Sequence, residues 1–249
     1  MTGVERFKIL NKFIGYGDLE RAQLFIVGLE EGGSAWTISQ EDERRIQRRA
    51  TCSYLTRDRW DDDISNWRNY FKITNRMETY LATTLRRVVN YVPACELELR
   101  QYFCEEFGAS FEFQTNVYPL ACPRQSCWPG EYSNLFFDNR TLKKEEYYRL
   151  SLDSGRVDVL RNLVRIVRDS TSPKWMVVLT YQAWNELQDR VFAPERISFP
   201  CQHEWSRAGH QINTIKYSPD KRFWLCGHPF GGWFNKHIAD FMIDEIRRT

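Results

Sequence analysis

Glu30 and Glu31 stand side by side in Gly28-Leu-Glu-Glu-Gly-Gly-Ser34, and much later His228 and Pro229 open Gly227-His-Pro-Phe-Gly-Gly232. Glycines let a ligand approach the backbone closely, so a carboxylate set among them can orient water or stabilise a cationic centre. An imidazole on a loop stiffened by proline offers a hydrogen-bond donor that can hold negative charge. The same residues also suit plainer roles. Glu30 and Glu31, helped by Ser34, can cap a following helix, because acidic side chains are favoured near helix N-termini. A lone histidine is often a hydrogen-bonded structural group.

The elements that would position these residues are legible as short apolar runs. Leu24 to Gly28, Phe111 to Tyr118, Trp175 to Thr180 and Phe223 to Gly227 each suit a buried strand. Helical spacing marks Glu41 to Ala50, Arg76 to Tyr91, Glu96 to Phe107, Lys143 to Arg168 and Trp233 to Arg248. Strands separated by helices imply crossover connections, and so a central, mainly parallel four-stranded sheet covered on both faces. The expected fold is a three-layer α/β/α sandwich, one domain over residues 1–249. In such sheets ligands gather beyond the carboxyl ends of the strands. That rule selects the loops after the first and last runs, together with Asn116-Val-Tyr-Pro-Leu120 at the end of the second. Cys122 to Asn139, with Pro123, Pro129, Gly130 and several aromatics, reads as an ordered loop.

Composition excludes several classes. A hydrophobic fraction of 42% and a charged fraction of 27% in 249 residues describe an ordinary globular chain. No apolar run reaches the ~18 residues of a membrane span, and the N-terminus lacks a charged-then-apolar signal pattern, so a cytoplasmic protein without a membrane partner is expected. The seven cysteines contain no CxxC pair, which argues against a disulfide framework and a common zinc site. A net charge of +2 announces no nucleic-acid partner by itself.

Taken in chain order, the three strand-end segments resemble the uracil-DNA glycosylase superfamily. A strand ends in glycine with an acid two places on (Gly28, Glu30), a second ends at Asn116, and the last leads to His228-Pro229. The resemblance runs from about Leu24 to the end of the C-terminal helix. It implies that Glu30 is the water-positioning or cation-stabilising acid, with Glu31 as the competing acid. It implies also that Asn116 reads the base and that His228 faces the base oxygen. Gly28, Gly32, Gly33, Ser34, Trp36 and Tyr118 would complete the substrate-binding set, although Trp36 could equally pack in the core. The sequence departs from the family at Glu31, where many relatives have proline, and at Phe230, where many have serine after His-Pro. These residue types suit N-glycosidic cleavage, which builds positive charge on the sugar and negative charge on the departing base.

Uracil-specific relatives carry a bulky tyrosine against carbon five of the pyrimidine, and Gly32 stands at that position here. An open pocket wall suits thymine, or a cytosine carrying a hydroxymethyl or glycosylated group as in some phage DNA, and hence a defence role. The plainer alternative is a glycine that only makes a tight turn. The expected partner is DNA with its target base flipped out, which needs a wedge and phosphate contacts. Phe230, Trp233 and Phe234 are the wedge candidates, and Arg44, Arg45, Arg48 and Arg49 could track phosphates, with Arg124 and Arg140 as alternatives. The arginine run, balanced by Glu41, Asp42 and Glu43, also reads as a solvated helix face. Some superfamily branches hold an iron–sulfur cluster, but the four-cysteine spacing is not evident, and neither metal nor cofactor is expected. A monomer is expected. The rival functions are a non-catalytic nucleic-acid-binding module of the same fold and a hydrolase of free nucleosides or nucleotides.

Overall fold

The computed structural model describes residues 2–17, 19–32, 54–55, 112–122, 131–137, 142–205, 213–226 and 232–248. Its elements in chain order are α1 (Gly3–Asn11), β1 (Gly15–Gly17), β2 (Leu24–Gly32), β3 (Tyr54–Leu55), β4 (Glu112–Cys122) and α2 (Glu131–Phe136). There follow α3 (Lys144–Ser151), α4 (Val157–Arg168), β5 (Trp175–Leu179), α5 (Tyr181–Leu187), β6 (Cys201–Trp205), β7 (Asn213–Tyr217), β8 (Phe223–Cys226) and α6 (Gly232–Arg247). π-helical segments at Leu152–Arg156 and Gln188–Phe192 join α3 to α4 and extend α5.

The strands form one sheet in the order β3-β1-β4-β2-β5-β8-β7-β6. β4, β2, β5 and β8 run parallel as adjacent neighbours. β1 is antiparallel to β4, and β7 is antiparallel to both β8 and β6. The α/β class therefore holds, but among the described residues the sheet has eight strands of mixed direction rather than four. Burial explains the difference. Every residue of β5 and of β8 is buried, and strands covered on both faces read as continuous apolar runs. The flanking β6 and β7 are only five residues each and mostly polar, Cys-Gln-His-Glu-Trp and Asn-Thr-Ile-Lys-Tyr, a much weaker signal.

Side chains pack on both faces of the sheet. The Phe223 ring meets Phe192 with centroids 5.9 Å apart, while the next residue, Trp224, stacks on Tyr217 at 4.7 Å and meets Phe241 of α6 edge-on at 6.4 Å. Successive residues of a strand address opposite faces, so α6 and the π-helical extension of α5 lie on opposite sides of β8. The larger core joins Phe25, Val27, Phe113 and Met176 of the sheet to α1, α3, α4 and α5.

Four boundaries differ from expectation. β2 continues through Glu30, Glu31 and Gly32, so these residues belong to a strand and not to a loop or a helix cap. β4 continues past Asn116 and Tyr118 to Cys122. A short helix, α2, occupies Glu131–Phe136 within the stretch read as a loop. The expected helix from Lys143 to Arg168 is broken at Ser154 and Gly155, whose backbone leaves helical geometry, with Gly155 at φ 94°. The helices expected at 41–50, 76–91 and 96–107 lie outside the described residues. Among the described residues no helix is long and apolar enough to cross a membrane.

Candidate functional site

Because β4, β2, β5 and β8 are parallel, their carboxyl ends share one edge of the sheet. From β2 the chain goes to β4 on one side, then crosses β2 to reach β5 on the other. That reversal is the switch point at which open α/β sheets leave a crevice for ligands. The residues at this crevice come from the end of β2, from its partner β4 and from the end of β5.

Gly28 and Asn116 are register partners across β2 and β4, as are Glu30 and Tyr118. The Asn116 side chain lies against Gly28 so closely that a β-carbon at 28 would be 2.5 Å from Asn116 Oδ1. No real β-carbon tolerates that approach, so the glycine is what lets the amide lie across the neighbouring strand. Beyond this pair the register slips: Gly32 pairs with Cys122, leaving two more residues in β4 than in β2. Pro119, which has no N–H to give a ladder, sits in the irregular stretch. The displaced Leu120 N–H donates instead to Tyr147 Oη at 2.8 Å. The Tyr118 ring is fully buried and stacked on Tyr148, centroids 3.8 Å apart, so it belongs to the core beneath the strand end.

Asn116 is anchored from behind by a residue that sequence reasoning did not single out. Arg156, 1% exposed, follows the left-handed Gly155 and carries its guanidinium into the core. Its Nε donates to the carbonyls of Asn116 and Val117, 3.2 Å from each. Its Nη2 donates to Thr115 Oγ1 at 2.9 Å and to the Asn116 carbonyl, and its Nη1 donates to the carbonyls of Asn11 and Phe13. Thr115 Oγ1 passes the link to the carbonyl of Ile14. Asn11 is held in turn by Ser151, whose hydroxyl donates to Asn11 Oδ1 at 2.8 Å and whose carbonyl accepts from Asn11 Nδ2 at 3.1 Å. The polar network thus ties the end of α1, the break between α3 and α4, and the centre of β4. The sequence signal was Ser154-Gly155, a helix breaker directly before an arginine.

Thr180, at the carboxyl end of β5, has φ 81° and ψ 142°, a conformation that favours glycine. Its N–H donates to the Cys226 carbonyl at 2.9 Å, extending the β5–β8 ladder, and its Oγ1 accepts from Ala183 N at 3.3 Å to cap α5. Backbone strain of this kind collects at functional edges, and here it lies at the switch point. The Cys201 and Cys226 thiols are free, and burial pushes the Cys226 thiol far above its ordinary range.

Of the candidates read from sequence, Gly28, Asn116 and Tyr118 are described in full, and Gly28 and Asn116 are brought together. Glu30, Glu31 and Gly32 are placed as consecutive backbone positions of β2, and Trp233 as the second residue of α6. His228 and Phe230 fall between the end of β8 at Cys226 and the start of α6 at Gly232, outside the described residues, as do Gly33, Ser34, Trp36, Arg45, Arg49 and Arg124. No protein-family model matches the chain, and no curated protein matches it either.

Proposed function

We propose that the chain is a DNA glycosylase with a uracil-DNA glycosylase-like layered fold, hydrolysing the N-glycosidic bond of a flipped-out, modified pyrimidine and leaving an abasic site. The observation that carries this reading is the Asn116 amide lying against Gly28, on the pair of strands beside the switch point. An amide offers a donor and an acceptor together, which is what reading the hydrogen-bonding edge of a base requires. Glu30 lies two residues beyond Gly28 in β2 and so shares its parity in the strand, whereas Glu31 does not. This favours Glu30 as the acid that stabilises the sugar cation. His228 follows β8 by two residues, and β8 is separated from β2 by β5 alone, about 10 Å from strand to strand. A carboxylate at the sugar and an imidazole donor at the departing base would answer the two charges that grow in the transition state.

Gly32 carries the finer proposal that the base is large at carbon five, as in hydroxymethylated or glycosylated cytosine of phage DNA, with antiviral defence as the biological role. Incubation with duplexes containing such bases, followed by mass spectrometry of what is released, tests both levels. Free modified base together with abasic DNA supports the reading. Release from a free nucleoside but not from DNA would replace it with a nucleoside hydrolase, and binding without release would replace it with a non-catalytic module.

A further inference from the structure

Burying a guanidinium costs several kcal/mol after relaxation, and apolar residues of similar volume serve stability as well or better. A buried arginine whose donors converge on main-chain carbonyls therefore calls for a task besides stability. The fork of Arg156 is planar and rigid, and it donates to both Asn116 and Val117 carbonyls while Nη2 holds Thr115 Oγ1. The Asn116 carbonyl belongs to the peptide unit that follows the Asn116 Cα, and the Thr115 hydroxyl belongs to the residue before it, so the guanidinium holds the chain on both sides of that Cα and restrains the direction of its Cα–Cβ bond. Among the described residues no hydrogen bond holds the Asn116 side-chain amide itself. It lies over Gly28, on a stretch of backbone that the guanidinium holds.

We infer that Arg156 is a positioning residue for base recognition, holding the Asn116 amide in the orientation that reads the hydrogen-bonding edge of the pyrimidine. Its role in base recognition rests on the glycosylase reading, while its hold on Asn116 does not. Gly155, at φ 94°, turns the chain so that the next residue enters the core and not the helix surface. Asn11 and Ser151 brace the far side of the guanidinium through the Asn11 carbonyl.

The test compares wild type with Arg156→Lys, which keeps the charge and loses the fork, and with Thr115→Val, which keeps the arginine and removes one of its partners. In 15N-labelled protein the side-chain amide pair of Asn116 is assigned by its loss in Asn116→Asp. Both variants should shift and broaden that pair while core methyl resonances stay in place. An unchanged pair in either folded variant overturns the inference, and Thr115→Val decides the matter alone should Arg156→Lys fail to fold. On DNA, the ratio of kcat/KM for a cytosine over a uracil bearing the same 5-substituent should fall roughly 10-fold in both variants, within the range of one lost bidentate base contact. A purely structural role would lower the melting temperature and leave that ratio as in wild type. Wild-type protein releasing no base would sink the glycosylase reading alone, because the amide resonances still report whether Arg156 holds Asn116.

Discussion

A β-carbon added at Gly28 would lie 2.5 Å from Asn116 Oδ1, so residue 28 sets where the amide can rest. Gly28→Ala must displace Asn116 Oδ1, the end of a side chain that can rotate, so the fold should hold while the amide moves. Moving a recognition group by an ångström costs up to about 100-fold in rate. The expected outcome is a folded variant with a large loss in kcat/KM, measured by base release beside thermal melting. Activity equal to wild type would show that the amide is not in the substrate path.

Glu30 and Glu31 differ by one step along β2, which separates them by parity. Glu30→Gln and His228→Ala should each slow base release by at least ~100-fold, the lower range for a positioned acid or oxyanion donor. Glu31→Gln should retain most activity. The reverse order for the two glutamates would mean that the slip between Glu30 and Gly32 brings Glu31 to the sugar, and full activity in the Glu30 and His228 variants would remove the catalytic assignment.

What was legible in the sequence was what burial makes uniform. β5 and β8 are apolar throughout because both their faces are covered, β2 shows the same run until its polar end, and β4 sets Phe113 among polar residues before its apolar end. The continuation of β2 through Glu30-Glu31-Gly32 was hidden, since neither carboxylates nor glycine favour strands and only pairing with β4 holds them there. α1 carried a start signal that went unread. Thr2 and Glu5 form a reciprocal capping box, with Glu5 N donating to Thr2 Oγ1 at 3.2 Å and Thr2 N donating to Glu5 Oε2 at 2.7 Å. The helix it starts is only nine residues long, with too few apolar positions to register a period. Arg156 looked like one more cation on a long amphipathic helix, because its burial depends on the break at Gly155 and on carbonyls far away in the chain.

Thr180 pays for its positive φ with strain of about 1–3 kcal/mol. Glycine there would relieve the strain, while surrendering a few tenths of a kcal/mol of capping and ~0.5–1 kcal/mol of unfolded-chain entropy. The balance favours Thr180→Gly by about 1 kcal/mol, or roughly 2–4 °C in Tm for a chain of this size. Thr180→Ala keeps the strain and loses the cap, so it should melt below wild type by about as much. Calorimetry should rank glycine above threonine and threonine above alanine. Threonine at the top would mean that its contacts to Cys226 and Ala183 outweigh the strain.

Glu195 receives Arg165 Nη2 at 2.5 Å and Arg168 Nη1 at 2.9 Å, and these hydrogen bonds, Arg165's foremost, hold its carboxyl below the usual carboxylate range. A carboxyl depressed in the folded state stabilises it above the unfolded value near ~4.3, and that contribution fades as pH falls through the lower folded value. Arg165 is half exposed, so water screens much of the interaction, and Glu195→Gln should cost only about 1 kcal/mol at neutral pH. In urea titrations the gap between variant and wild type should be full at pH 7 and should close as both are acidified below the ordinary carboxylate value. A gap that stayed constant with pH would assign the loss to packing instead of charge.

Gly32 ties substrate choice to one missing side chain, and its place in β2 as the partner of Cys122 makes the test cleaner. Strand backbone accepts L side chains, so a substitution there probes the space in front of the strand end more than the backbone itself. If the flipped pyrimidine lies with carbon five against this position, Gly32→Tyr should abolish release of glucosylated or hydroxymethylated cytosine while sparing a pyrimidine without a 5-substituent. Gly32→Ala is the control, and it should retain activity on both. Equal loss in the two variants would indicate that the backbone at the β2–β4 slip cannot carry any side chain. Activity of the tyrosine variant on the glucosylated base equal to wild type would show that the substituent points elsewhere, and the proposal of a hypermodified substrate would lose the residue that carries it.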